Sequence, residues 1–292
     1  MAEISARQES RHRVAAQRRG ESVSMQAHEP GSSIQGRKQS RIEVADYPIL
    51  EYDPDPLGII DPTMVSPRDV REHAVLCFFS EVVAKLSAGA RECFKMRAEH
   101  GTHVAYEIEY EGRRLAFFQP GVGAPLAAAF LEQAIARGCR RFAVCGGAGA
   151  LVPELALGHV IVPTAAIRDE GTSYHYLAPS REVEPAPSAV DAATTMLSER
   201  DVPFITGKTW STDGIYRETR ARTARRREEG CLVVEMEAAA LFAVARFRGV
   251  PLVYLLYAGD SLAGEEWDRR DWQHHDSRES LFWLAAAACL RL

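Results

Sequence analysis

With 292 residues, 46% of them apolar, the chain has enough to bury one large α/β core or two small ones, which excludes a protein disordered throughout. A formal net charge of −5 excludes a chain built to coat nucleic acid, and no apolar run reaches the roughly 18 residues needed to span a bilayer. Six cysteines (Cys77, Cys93, Cys139, Cys145, Cys231 and Cys289) lack Cys-x-x-Cys spacing, which argues against a zinc site and suits reduced thiols in a cytoplasmic protein.

Residues 1–42 are rich in Arg, Gln and Ser, carry almost no large apolar side chains and read as a flexible extension, with Met25 as an alternative start. Residues 43–292 read as one domain. Asp53 to Arg71 is turn-rich, with prolines at 54, 56, 62 and 67. His73 to Phe79 is the first expected core strand and Glu81 to Leu86 a helix. Thr102 to Glu111 and Leu115 to Gln119 form a hairpin around Gly112. Gly121-Val122-Gly123-Ala124-Pro125 opens an Ala/Leu-rich helix that Gly138 stops. Arg141 to Cys145 is a strand ending in Gly146-Gly147-Ala148-Gly149-Ala150. Further strands are expected at Gly158 to Thr164, Pro203 to Trp210 and Pro251 to Ala258, with helices at Ser188 to Glu199, Thr219 to Glu229 and Leu281 to Leu290. The alternation predicts a single-domain three-layer α/β/α fold, with a mostly parallel twisted central sheet and helices on both faces.

Two segments carry the chemistry. Val233-Val234-Glu235-Met236-Glu237-Ala238 closes a strand and opens an alanine-rich helix, and Ala258-Gly259-Asp260-Ser261 ends the next strand on a carboxylate. Ligands of open α/β sheets bind beyond the carboxyl ends of the strands, and a carboxylate near an apolar interior needs a partner or a task. Glu235 also reads as a helix-start acid and Asp260 as a turn residue. The cluster at Gly121 is not a P-loop, and the one at Gly146 fails the dinucleotide spacing. His274-His275 has no third ligand at helical spacing, so no metal is expected. The Arg220 to Arg227 run reads as a solvated helix face.

Taken in order, these segments resemble the nucleoside phosphorylase superfamily, and within it the uridine phosphorylases. The resemblance rests on Pro120 to Pro125, Gly146 to Ala150, Gly158 to Val162, Arg168 to Tyr176, Ser211 to Tyr216 and Val234 to Ala238. It implies cleavage of the N-glycosidic bond of a nucleoside. Glu237 would hold the ribose hydroxyls beside an oxocarbenium-like centre, and Asp260 would protonate the departing base. Met236 would pack on the sugar, Tyr216 on or beside the base, with Gly146, Gly147 and His175 lining the substrate. Gly123 and Arg97, the latter from a neighbouring subunit, would serve phosphate, while Glu81 would position water in a hydrolytic relative. Uridine phosphorylases generally lack the acid matched by Asp260, which pulls towards purines or modified bases. The resemblance further implies a homo-oligomer acting on a small-molecule nucleoside, with no organic cofactor, no nucleic acid and no membrane, and inorganic phosphate as co-substrate.

The departures lie on the nucleophile's side. Phosphorylases place an arginine and a Ser or Thr where this chain has Val144 and Gly147, and phosphate needs several positive or N–H partners. Phosphorolysis is therefore expected only narrowly ahead of hydrolysis, with a non-catalytic nucleoside-binding protein as a third reading.

Overall fold

The computed structural model describes residues 42–64, 71–99, 101–270 and 275–292. The expected extension (apart from Ile42) and His274 lie outside the described residues. Residues Ser40–Leu292 form one unit.

The strands are β1 (His73–Cys77), β2 (Arg91–Ala98), β3 (Gly101–Tyr110), β4 (Arg113–Phe118), β5 (Arg141–Ala150), β6 (Val160–Asp169), β7 (Glu182–Val183), β8 (Phe204–Thr212), β9 (Cys231–Glu235) and β10 (Leu252–Ser261). The helices are α1 (Ser80–Ser87), α2 (Ala124–Ala136), α3 (Pro187–Glu199), α4 (Arg220–Glu228), α5 (Ala238–Arg248) and α6 (His275–Cys289). The sheet runs β10-β6-β8-β9-β5-β1-β4-β3-β2, and β10 also pairs with β5. Five strands, β5-β10-β6-β8-β9, thus close into a ring, and closure removes free edges where the site is built.

The core is the α/β architecture expected. β1 pairs in parallel with β4 and β5, β5 with β10, and β8 with β6 and β9. Antiparallel contacts add β2, β3 and β7 and complete the ring through β5–β9 and β6–β10. On one face α2 and α5 pack together through Ala127, Phe130, Leu131, Leu241 and Phe242. On the other, α1, α3 and α6 bury Val82, Ala193, Met196, Leu281 and Phe282. Tyr254 and Tyr257, three residues apart on β10, serve opposite faces.

Two readings of the sequence need correction. The first strand carrying the glycine cluster does not stop at Cys145: β5 continues to Ala150, with Gly149 paired to Val234 and Asp260. Glycine weakens an isolated strand, but here the missing Cβ atoms admit neighbours. A Cβ on Gly146 would lie 2.9 Å from the Tyr254 phenol oxygen, and one on Gly149 2.5 Å from a Leu262 methyl. The second correction concerns the basic helix. Arg226 is buried, its Nη2 donating to Asp169 at 2.9 Å and its guanidinium lying over Trp210, so only part of α4 is a solvated face.

Candidate active site

β9 ends in a carboxylate that the fold itself uses. Glu235 is buried and accepts hydrogen bonds from Ser211 Oγ (2.5 Å) and Thr209 Oγ1 (3.2 Å) on β8, and from the amides of Glu237 (2.7 Å) and Ala238 (2.6 Å). It therefore satisfies the amides that open α5, which is the helix-start reading of this residue. Replacing Glu235 with Ala orphans several buried donors at once and is expected to lower the unfolding free energy by about 3 kcal/mol. Urea denaturation monitored by circular dichroism checks this.

Glu237, at the N-cap of α5, is equally buried, but its carboxylate turns to a different strand connection. Its Oε1 accepts the Gly123 amide at 2.6 Å. Gly123 can present that amide because its φ of +96° is a conformation L side chains rarely adopt. The N–H that the sequence suggested for phosphate is thus engaged by the protein's own carboxylate. Burial, and then the charge of Glu235, pushes the Glu237 carboxyl well above the usual range, with Asp213 adding to the effect and the Gly123 amide opposing it. Met236, between the two acids, is only partly buried and lies outside the packed core.

Asp213 links this centre to a cleft of about 450 Å³ whose lining includes Pro125, Ala128, Gly171, Thr172 and His175. The Asp213 carboxylate accepts the Gly171 amide at 2.9 Å, and His175 is exposed within the cleft. Tyr216, 95% exposed, and Ile215, 54% exposed, stand on the turn following Asp213.

Asp260 arrives by a bulge. β10 pairs Ala258 with Ala148 and Asp260 with Gly149, so Gly259 is an extra residue that re-aims the aspartate. The carboxyl is half-buried, and Oδ2 accepts Trp267 Nε1–H at 2.6 Å. Burial raises its pKa, against the lowering effect of the Trp267 bond. Burial, then the Asp260 charge, pushes the neighbouring Glu218 carboxyl up to about 7. Gly149 joins the two halves: a Cβ there would meet Val234 at 3.1 Å and Asp260 Oδ1 at 3.4 Å.

On the nucleophile's side, Val144 is fully buried, Gly146 is buried and Gly147 is exposed. A Cβ on Gly147 would contact the Tyr257 ring at 3.3 Å. Glu81 lies in the first turn of α1 and accepts Arg278 Nη1 at 2.7 Å, while Arg278 Nε donates to the Tyr257 hydroxyl at 3.0 Å. Arg97 is exposed on β2, at the edge of the sheet and separated from β5 by three intervening strands. Within one chain the structure brings Glu237, Met236, Gly123 and Gly146 to one end of the sheet with Asp260, and leaves Arg97 apart.

Reading the sequence missed Asp213, Glu218, Tyr254 and Trp267 as neighbours of these groups. Asp213 lay inside a quoted motif and could have been found. Trp267 and Glu218 have no periodic relation to Asp260 and become its neighbours only through loop geometry.

An α/β chain that gathers buried carboxyls at the carboxyl ends of its strands has the layout of an enzyme acting on a small polar molecule. It belongs to the Phosphorylase superfamily, whose pattern matches residues 72–289. It is 31% identical over 188 residues to a guanosine phosphorylase of Halorubrum lacusprofundi, covering 63% of this chain and 70% of that one. To a uridine phosphorylase of Thermococcus kodakarensis it is 31% identical over 156 residues, 51% of this chain and 54% of the relative. The fold is similar to those of a Vibrio fischeri uridine phosphorylase (TM-score 0.64, 19% identity, 80% of this chain and 95% of that one) and a Toxoplasma gondii purine nucleoside phosphorylase in complex with immucillin-H (TM-score 0.66, 17% identity, 76% and 92%). No helix among the described residues is long and apolar enough to cross a membrane.

Proposed function

We propose that this chain cleaves the N-glycosidic bond of a nucleoside by phosphorolysis, giving the free base and a (deoxy)ribose 1-phosphate. The C1′–N bond breaks, a phosphate oxygen bonds to C1′, and a proton passes from Asp260 to the departing base. Glu237 holds the ribose hydroxyls, and its ionised form places negative charge close to the sugar as positive charge develops there. The observation that carries the reading is the placement of two burial-shifted carboxyls, Glu237 just past the end of β9 and Asp260 at the end of β10, on the two strands that flank the end of β5. A raised pKa is what a carboxyl needs to be a proton donor near neutrality. Such a donor suits a purine leaving group, and relatives named for guanosine and purine nucleosides support that choice.

A specific observation favours a second reading, hydrolysis of the same bond. Buried Val144 and side-chainless Gly147 offer neither cation nor hydroxyl to a phosphate. The Glu81 carboxylate, paired with Arg278 at 2.7 Å, then becomes a candidate for holding water. Incubating the purified protein with a nucleoside panel, with and without phosphate, separates the two. Phosphorolysis predicts that millimolar phosphate raises base release at least about tenfold and yields pentose 1-phosphate. Equal rates without phosphate would overturn phosphorolysis in favour of hydrolysis. Absence of turnover by folded protein that still binds nucleosides would leave a binding protein.

A further inference from the structure

Asp260 does not stand alone at its strand end. After β10 the chain turns back through residues 262–268, and Ser261 and Asp268 exchange backbone hydrogen bonds (2.8 and 3.0 Å) that close the loop. Arg270 Nη1 ties its far side to the Leu155 carbonyl at 2.7 Å. This closure puts Trp267 Nε1 2.6 Å from Asp260 Oδ2. Trp267 is nonetheless 60% exposed, so it gains little from burial, and the hydrogen bond is its principal anchor, with Arg269 lying over the ring at 5.4 Å.

We propose that Trp267 is the positioning residue for Asp260, fixing which carboxyl oxygen presents the proton to the departing base. The inference rests on the reading of Asp260 as the proton donor. An indole N–H can only donate, so Oδ2 is held as an acceptor and the proton is directed to Oδ1. Oδ1 is the oxygen on the Gly149 side, 3.4 Å from the space left by that residue's missing Cβ. The bulge at Gly259 and the indole therefore act together: the bulge turns the side chain towards the crevice and the indole sets its rotation. The charged and titratable groups that bear on Asp260 are Tyr257 on β10, Glu218 from the turn before α4, Asp268 from the return loop and Arg270 just after it. A hydrogen bond given to a carboxylate favours its ionised form, so the indole also keeps Asp260 from being protonated too strongly to release its proton.

The test compares Trp267→Phe, which keeps a ring and removes the donor, with Asp260→Asn and the double variant. For Trp267→Phe, kcat on a purine nucleoside is expected to fall about tenfold to a hundredfold with KM changed less than about threefold. Its alkaline limb should move about one unit upward, because the freed carboxyl holds its proton more tightly. In the Asp260→Asn background the same change should have no further effect. A pKa of Asp260 measured by carboxyl carbon NMR, which needs no turnover, should rise by a similar amount in Trp267→Phe. If Asp260→Asn abolishes turnover while Trp267→Phe leaves both the limb and the NMR pKa in place, the positioning role is overturned and the acid role stands. If Asp260→Asn is fully active, the acid role itself fails, and the positioning role with it.

Discussion

Replacing Asp260 with Asn is expected to lower kcat for purine nucleosides by about a hundredfold to ten-thousandfold, the range over which a positioned acid contributes, while KM changes only a few-fold. Asparagine preserves the size and the bond from Trp267 but has no acidic proton to give as the C1′–N bond breaks. The loss therefore falls on the transition state and not on the bound nucleoside. A substrate whose leaving group needs no protonation, such as a nitrophenyl riboside, should be spared most of the effect. Steady-state kinetics on both substrates check this, and an unchanged kcat on the purine nucleoside would remove Asp260 from the chemistry. The burial that raises this carboxyl also defines the pH dependence: activity should decline as pH rises through the Asp260 pKa and the proton is lost.

Glu237→Gln is expected to raise KM and lower kcat together, with kcat/KM down about a hundredfold. The amide retains shape but cannot ionise beside the ribosyl cation as the carboxyl can, and one of its ends now offers donors where the Gly123 amide already donates. If a nucleoside analogue without ribose hydroxyls bound wild type as tightly as its parent, the sugar-holding role would be lost. The same variant tests the electrostatics of the site through stability. The Glu237 carboxyl is raised from an ordinary 4.5 to about 8 in the folded chain, by burial and then by Glu235. A folded value above the unfolded one means its contribution is fully present below about pH 4.5 and is lost as pH rises towards 8. Wild type should therefore lose stability across that window, and Glu237→Gln should lose less. Urea midpoints at both ends of the window measure the difference.

The sequence alone determined more than the outline of the fold. Short apolar runs bounded by turn residues, such as Pro251 to Ala258 and Arg141 to Cys145, read as buried strands, and the longer Ala/Leu-rich run after Gly123 as a helix packed on them. Glu237 and Asp260 were legible for the same reason: each is a carboxylate at or just past the end of an apolar strand, an arrangement costly enough to need a purpose. The edge strand β2 was missed in the sequence: buried Phe94 and Met96 do alternate with exposed Lys95 and Arg97, but the alternation is short and follows the charged pair Arg91 and Glu92, and the strand forms because β3 offers a partner.

Tertiary structure decided what surrounds those carboxyls. A linear chain cannot reveal that Gly123 reaches Glu237 across 114 positions, that Ser211 satisfies Glu235, or that a returning loop brings Trp267 to Asp260. These contacts depend on strand order and ring closure. The pKa shifts depend on burial, which no local pattern encodes. The sequence set which groups could react, because residue type and strand-end position are local properties. Packing set which of them hold the fold, which face the crevice and which carry a proton, because hydrogen bonding and desolvation exist only once distant segments meet.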